Sequence, residues 1–505
     1  MQLNKNNLGA LRGRTSLEVP ADELLALPEK VLQFGTGVLL RALPDYFIDK
    51  ANKQGLFGGR VVVVKSTESD SSAFDAQDGL YTICVRGVEN GKIVEENIIN
   101  ASISRVLSAK NEWDKILACA HSPELRLIIS NTTEVGIQLV EDSIASRPPV
   151  SFPGKLLAFL YERYKALGGS AASGMVIVPT ELITDNGAKL ESIVLELAHR
   201  NKLDFGFIEW LENHNTFCNS LVDRIVPGKP GGADLEAIEK ELGYADALLT
   251  KSEVFRLWAI EGDEKVKQVL GFAAADEGVV ITPDITLFKE LKLRLLNGTH
   301  SFNCGLAHLA GFHITREAVS HPVFAAFTKA LQKEIAAAIP FDIDQQVKQD
   351  FADKVFERFC NPFIDHQWLS ITVQYSSKMK MRNVPLLQQH YSVYQTVPDH
   401  MTLGFAGYLK FMQVVKQDGN TYYGEWKGKA YEIKDDAAGY FLTQWSSGDA
   451  PDKIIDHVLS DVQLWETDLL QLPGFADQVK KYFHALDGDV LALIASLEKK
   501  QVETV

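Results

Sequence analysis

A chain of 505 residues is long enough for two or three domains, each with a sizeable core. With 46% hydrophobic and 23% charged residues it has the make-up of an ordinary soluble globular protein rather than a disordered one. Its 51 Lys and Arg against 66 Asp and Glu leave a net charge of −15 with no basic run, which argues against nucleic-acid binding.

The opening Met1-Gln2-Leu3-Asn4-Lys5-Asn6-Asn7 lacks the apolar core of a secretory leader, and no run of about 18 apolar residues follows. No membrane association is expected. The five cysteines, Cys84, Cys119, Cys218, Cys304 and Cys360, are scattered, odd in number and without a CxxC. That pattern suits a reducing cytoplasm rather than a disulfide framework.

In chain order, residues 30–41 join a short apolar strand to a helix through Gly35-Thr36-Gly37. Glycine there permits a tight turn and close approach to a pyrophosphate, with Phe34 and Thr36 on the same loop. The third glycine of GxGxxG is replaced by Leu40. The alternative is a plain strand–helix turn. Next comes Arg60-Val61-Val62-Val63-Val64-Lys65, an unbroken apolar run of the kind buried in a parallel sheet. Where an acidic residue would bind the ribose of NAD stands Lys65, which suits a 2′-phosphate equally well; Glu68 and Asp70 lie slightly beyond.

Leu125–Ser130 reads as another strand, ending in Asn131-Thr132-Thr133-Glu134, small polar groups suited to lining a cofactor crevice. A helix over 154–167 and a strand over 174–179 follow, and the rim then carries Glu181 and the Asn186-Gly187 pair, site residues or an ordinary turn. From about residue 284 the periodicity turns mostly helical, so the domain boundary is placed there: 1–283 and 284–505. The fold class expected is α/β, a Rossmann-like N-terminal domain followed by a largely helical C-terminal one.

Thr282-Pro283-Asp284 reads as a helix start. At about 100° per residue, Lys292, Asn297 and His300 fall at about 0°, 140° and 80°, within reach of one cleft. Leu287, Leu291 and Leu295 pack another side. An amine, an amide and an imidazole together suit proton transfer at a carbonyl or alcohol; the alternative is a solvated helix with His300 bonded in the core. His300 and Cys304 make half a zinc site at most, with no further ligands at suitable spacing, so no metal is expected. Later come Arg358–Gln367, a polar cluster, and Lys378, Lys380 and Arg382 at period two. On an extended stretch these three cations would clamp a substrate carboxylate. Residues 385–505 read as amphipathic helix with loops around Gly419 and Gly448.

Taken together, Gly35-Thr36-Gly37 with Arg41, Val222-Asp223-Arg224-Ile225, Lys292-x4-Asn297-x2-His300 and Arg358-Phe359-x-Asn361-Pro362 resemble the long-chain polyol dehydrogenases, the mannitol dehydrogenase family. The likeness runs from roughly residue 30 to 480. Four further stretches, Asp78–Thr82, Ser130–Glu134, Phe363–Gln367 and Trp465–Gly474, most resemble the branch that reduces the keto acid tagaturonate to altronate. They resemble the fructuronate and mannitol branches less.

The resemblance implies a metal-independent, NAD-dependent enzyme, a monomer or small homo-oligomer, with hydride passing between nicotinamide and substrate carbon in a site between the domains. Lys292 would be the general acid/base, assisted by Asn297 and Asn186, with His300 orienting substrate. Phe34, Gly35, Thr36, Gly37, Lys65, Asn131, Thr132 and Glu134 would hold NAD, and Arg41, Asp365, His366 and Lys378 the substrate. Leu369 stands where the polyol enzymes carry an arginine, which favours a uronate over a neutral polyol. An NAD-bound sensor and a uronate epimerase are the alternatives from other classes.

Overall fold

A computed structural model describes residues 1–67, 71–132 and 136–503, the side chains of 500–503 excepted. The chain forms two compact units, Met1–Gly87 with Lys92–Ile285, and Val88–Gly91 with Thr286–Val505.

The first unit is built on six parallel strands: β1 Glu29–Phe34, β2 Arg60–Lys65, β3 Ile103–Ser108, β4 Leu127–Ser130, β5 Val176–Pro179 and β6 Thr216–Phe217. Their order across the sheet is 3-2-1-4-5-6, that of the doubly wound dinucleotide-binding fold. The unbroken apolar runs follow from covering on both faces. Successive side chains point to opposite sides, so Val61 and Val63 enter one core while Val62 and Val64 enter another. All four are fully buried. On one face lies the helix Phe152–Leu167, started by Ser151 Oγ accepting the Gly154 N–H at 3.0 Å and ended at Gly168. Two three-stranded sheets complete the unit.

The second unit is mostly helical. Its central crossing is between Thr299–Leu309 and Asp399–Phe411, where side chains would hold the backbones apart: a Cβ on Gly305 would lie 2.9 Å from the Gly407 carbonyl oxygen. Leu291 and Leu295 join the same core and Leu287 packs against it, as their spacing of four suggested.

Two expectations are corrected here. Thr282 does not cap a helix; it ends the strand Val279–Thr282, whose β-branched residues pair in parallel with Leu257–Glu261, and the helix begins at Thr286. The 385–505 segment is not helical throughout. Val414–Asp418, Thr421–Trp426 and Lys429–Ile433 form an antiparallel sheet turning at Gly419 and Gly428, both at positive φ.

His400, 1% exposed, joins three helices: Nδ1 lies 2.6 Å from Glu334 and Nε2 3.0 Å from Glu498. Burial by itself lowers its pKa, but the two carboxylates outweigh burial and raise it to about 9. A raised folded-state pKa stabilises fully below the unfolded value and ceases to do so as pH climbs through the folded one. We therefore predict that the difference in urea stability between the native chain and His400→Gln shrinks by about 3 kcal/mol between about pH 6 and pH 10. A pH-independent difference would contradict this.

Candidate active site

The helix carrying Lys292, Asn297 and His300 is not α throughout. Lys292–Gly298 winds as a π-helix between Thr286–Leu291 and Thr299–Leu309. Its hydrogen bonds span i to i+5, so each turn takes up one more residue. The spacing i, i+5, i+8 therefore does here what i, i+4, i+7 does on an α-helix, and makes a single stripe. The 140° offset expected between Lys292 and Asn297 is corrected: they lie a turn apart on the same side. Both are half-buried, and His300 is buried at 8% exposure.

The His300 ring is walled by Phe359, His366 and Trp368, with ring centroids at 4.3, 5.2 and 6.0 Å. Its Nδ1 is buried without a hydrogen-bond partner. Burial, followed by the charges of His366, Arg358, Arg382 and Lys378, pushes its pKa well below the ordinary value, so the imidazole is neutral. The His366 pKa is lowered too, first by burial and then by Arg358 and Lys378. Arg358 and Lys378 act on both rings, and Arg382 acts on His300 besides. Asp435, a carboxylate that acts on Lys378, accepts hydrogen bonds from the Ser376 and Ala437 amides.

The extended three-cation clamp is corrected. Lys378 ends the helix Tyr375–Lys378, and Lys380 and Arg382 lie on a second π-helix, Met379–Asn383. Tyr375 and Met379 fill the core, and that burial fixes a helix where period two suggested a strand. Lys380 turns away to Glu466 at 3.0 Å. Lys378 Nζ donates to the Ile371 carbonyl at 2.8 Å, and Arg382 Nη1 reaches Ser301 Oγ at 3.1 Å. Asp365 stands apart, paired with Arg316 at 2.7 Å and largely exposed. Leu369 is exposed.

Phe359 and Trp368, whose rings wall His300, were not among the expected site residues. Phe359 and Trp368 carry no local signal, because only folding brings their rings to His300.

In the first unit, Gly35 has φ +126°, and a Cβ there would come within 2.9 Å of both the Asn131 carbonyl oxygen and Leu40 Cδ1. Leu40, buried in the core, occupies the helix–sheet contact where a third glycine is usual. The Gly35 N–H bonds the Val64 carbonyl at 3.0 Å and the Asn131 N–H the Phe34 carbonyl at 3.1 Å. The loop thus sits at the carboxyl ends of β1, β2 and β4, where the strand order reverses. That is the crevice in which such sheets take a dinucleotide, and the bare Gly35-Thr36-Gly37 backbone fits one.

Phe34 itself faces the core, its ring 5.1 Å from Phe152. Asn131 Nδ2 donates to Thr180 Oγ1 at 2.9 Å, and Glu181 accepts from Thr132 N at 2.8 Å and Ser130 Oγ at 3.1 Å. Lys65 ends β2, buried. Glu134, Glu68 and Asp70 lie outside the described residues.

Two assignments drawn from the resemblance meet firm local bonds. Asn186 Nδ2 donates to the carbonyls of Pro179, Glu181 and Ser220 at 3.0–3.2 Å, and its Oδ1 accepts from Gly187 and Ser220. Arg41 bonds the carbonyls of Leu248 and Thr36 beneath the glycine loop and lies over the Tyr81 ring. Among the described residues no three His, Cys, Asp or Glu side chains form a metal-ligand set. The Cys304 thiol donates to the Ser301 carbonyl at 3.6 Å. No helix among the described residues is long and apolar enough to cross a membrane.

The mannitol dehydrogenase Rossmann-domain model matches residues 29–271, and the mannitol dehydrogenase C-terminal-domain model matches 284–487. The chain is 38% identical over 469 residues to the altronate oxidoreductase of Bacillus subtilis, covering 92% of this chain and 94% of the relative. It is 37% identical over 472 residues to that of Pectobacterium carotovorum, with 91% and 94% covered. In fold it is similar to Pseudomonas fluorescens mannitol 2-dehydrogenase in ternary complex with NAD and D-mannitol, at TM-score 0.68 and 24% identity over 99% of this chain and 100% of that one. A D-sorbitol dehydrogenase, at TM-score 0.72 and 19% identity over 99% of each chain, has a similar fold. The chain belongs to the mannitol dehydrogenase family.

Proposed function

We propose that this protein reduces tagaturonate to altronate, reversibly, with NAD(H). Residues 1–283 would hold the dinucleotide, and 284–505 the substrate and the proton-transfer groups. The observation that carries the acid substrate is that Lys378 and Arg382 are among the cations acting on the neutral His300 ring, and that Lys378 acts on His366 as well. A neutral polyol gives these charges nothing to meet, whereas a hexuronate brings a carboxylate. The names of the relatives support the same sugar acid.

The dinucleotide, when bound, supplies or takes up the electron pair of the carbonyl–alcohol change. The backbone of Gly35-Thr36-Gly37 would hold its pyrophosphate, and Asn131 and Thr132 would line its crevice. In reduction the substrate oxygen gains a proton, and Lys292 as an ammonium delivers it there. Asn297, on the same stripe, donates its amide N–H to that oxygen as negative charge builds on it. His300, kept neutral, orients the substrate by hydrogen bonding rather than by titrating. In oxidation the same lysine, neutral, takes the proton back.

The test is a panel of uronates and polyols with NADH and NADPH, followed by loss of the reduced cofactor's near-ultraviolet absorbance. The expected result is the highest kcat/KM for tagaturonate with NADH. Equal or better use of fructose would overturn the acid substrate. Preference for fructuronate would move the assignment to mannonate formation, and preference for NADPH would overturn the cofactor.

A further inference from the structure

Two π-helices in the second unit face each other, and each has carbonyls met by the other's side chains. A π turn displaces carbonyls from the regular i to i+4 ladder, and when buried they need other donors. Arg294, inside the first π segment, sends Nη1 to the carbonyls of Met381 and Arg382 in the second, at 2.9 and 2.8 Å. In return Asn383 Nδ2 donates to the Gly298 carbonyl at 3.1 Å. Arg382 Nη1 reaches Ser301 Oγ at 3.1 Å, and Ser301 Oγ in turn donates to the Asn297 carbonyl at 2.9 Å. Glu290 holds the Arg294 guanidinium at 3.0 Å, and Asn383 is fully buried.

We propose that this reciprocal bracing, with Arg294, Asn383 and Ser301 as positioning residues, keeps 292–298 in the π form that aligns Lys292 with Asn297. The inference rests on the proposed reaction only for the step it names. Were the segment to relax to an α-helix, Asn297 would swing to about 140° from Lys292. The amide N–H and the ammonium would then no longer meet the same substrate atom.

The test compares Arg294→Met, Arg294→Lys, Asn383→Leu and the mild Ser301→Ala on whichever keto acid the panel selects, so a wrong substrate does not count against it. A misplacement of about 1 Å costs on the order of 10²-fold. We expect kcat to fall about 10–100-fold in Arg294→Met and Asn383→Leu and several-fold in Ser301→Ala, with KM and the NADH Kd little changed. Arg294→Lys should recover only part of kcat, because one amine cannot replace the fork at two carbonyls.

Full recovery by Arg294→Lys together with native kcat in Ser301→Ala would show that charge alone matters and would overturn the bracing. A crystal structure of Arg294→Met supplies a readout free of activity. Rewinding of 292–298 as α is expected, and a retained π turn would overturn the proposal.

Discussion

Lys292→Ala is expected to lose about 10²–10⁴-fold in kcat in both directions while binding NADH nearly normally. The motivation is the composition of the stripe. Asn297 cannot titrate, and His300 is pushed to its neutral form by burial first and by neighbours that include Arg358, Arg382 and Lys378, so neither carries a proton to an alkoxide. An added small amine should restore part of the rate by supplying the missing ammonium. Asn297→Ala should lower kcat less steeply, since it removes one donor to the substrate oxygen and leaves the acid in place. A Lys292→Ala enzyme with near-native turnover would remove the lysine from the mechanism and leave the imidazole to be tested through His300→Gln.

Lys378→Ala is expected to raise the KM for tagaturonate about 10–100-fold with kcat and NADH affinity little changed. A charge-assisted contact to a carboxylate contributes about 1.5–3 kcal/mol, and about 1.4 kcal/mol is tenfold. Slow turnover of a neutral polyol should be untouched or improved, because no carboxylate is lost from its contacts. The Lys378 pKa is lowered by burial and then by Arg382. Its ammonium is therefore given up at a lower pH than an ordinary lysine's, and KM for the acid should begin to climb before the usual lysine range. An equal rise of KM for acid and polyol would assign Lys378, through its bond to the Ile371 carbonyl, to holding the fold instead.

The Rossmann-like half was legible because its signals are local. A four-valine run makes a strand covered on both faces, and Gly35 is required by a backbone conformation and a contact that any Cβ would spoil. The Lys292, Asn297 and His300 trio was legible as a set of residue types, yet its geometry was not. An α-helical period splays Lys292 from Asn297. The π turn that realigns them accompanies Arg294, Arg382 and Asn383 bonds made across a gap of more than eighty residues in the chain.

The same holds for the cations. Period two in Lys378, Lys380 and Arg382 suggested one extended clamp, but burial of Tyr375 and Met379 wound the segment into a helix and sent Lys380 to Glu466. By itself, then, the sequence determined the parallel sheet and the glycine loop, and offered the residue types proposed to carry the chemistry, since propensity and steric need act over a few residues. Only the tertiary structure decided which of those side chains share a face and which stay neutral. Helix winding at a π turn and desolvation of an imidazole depend on neighbours that meet only when the chain has folded.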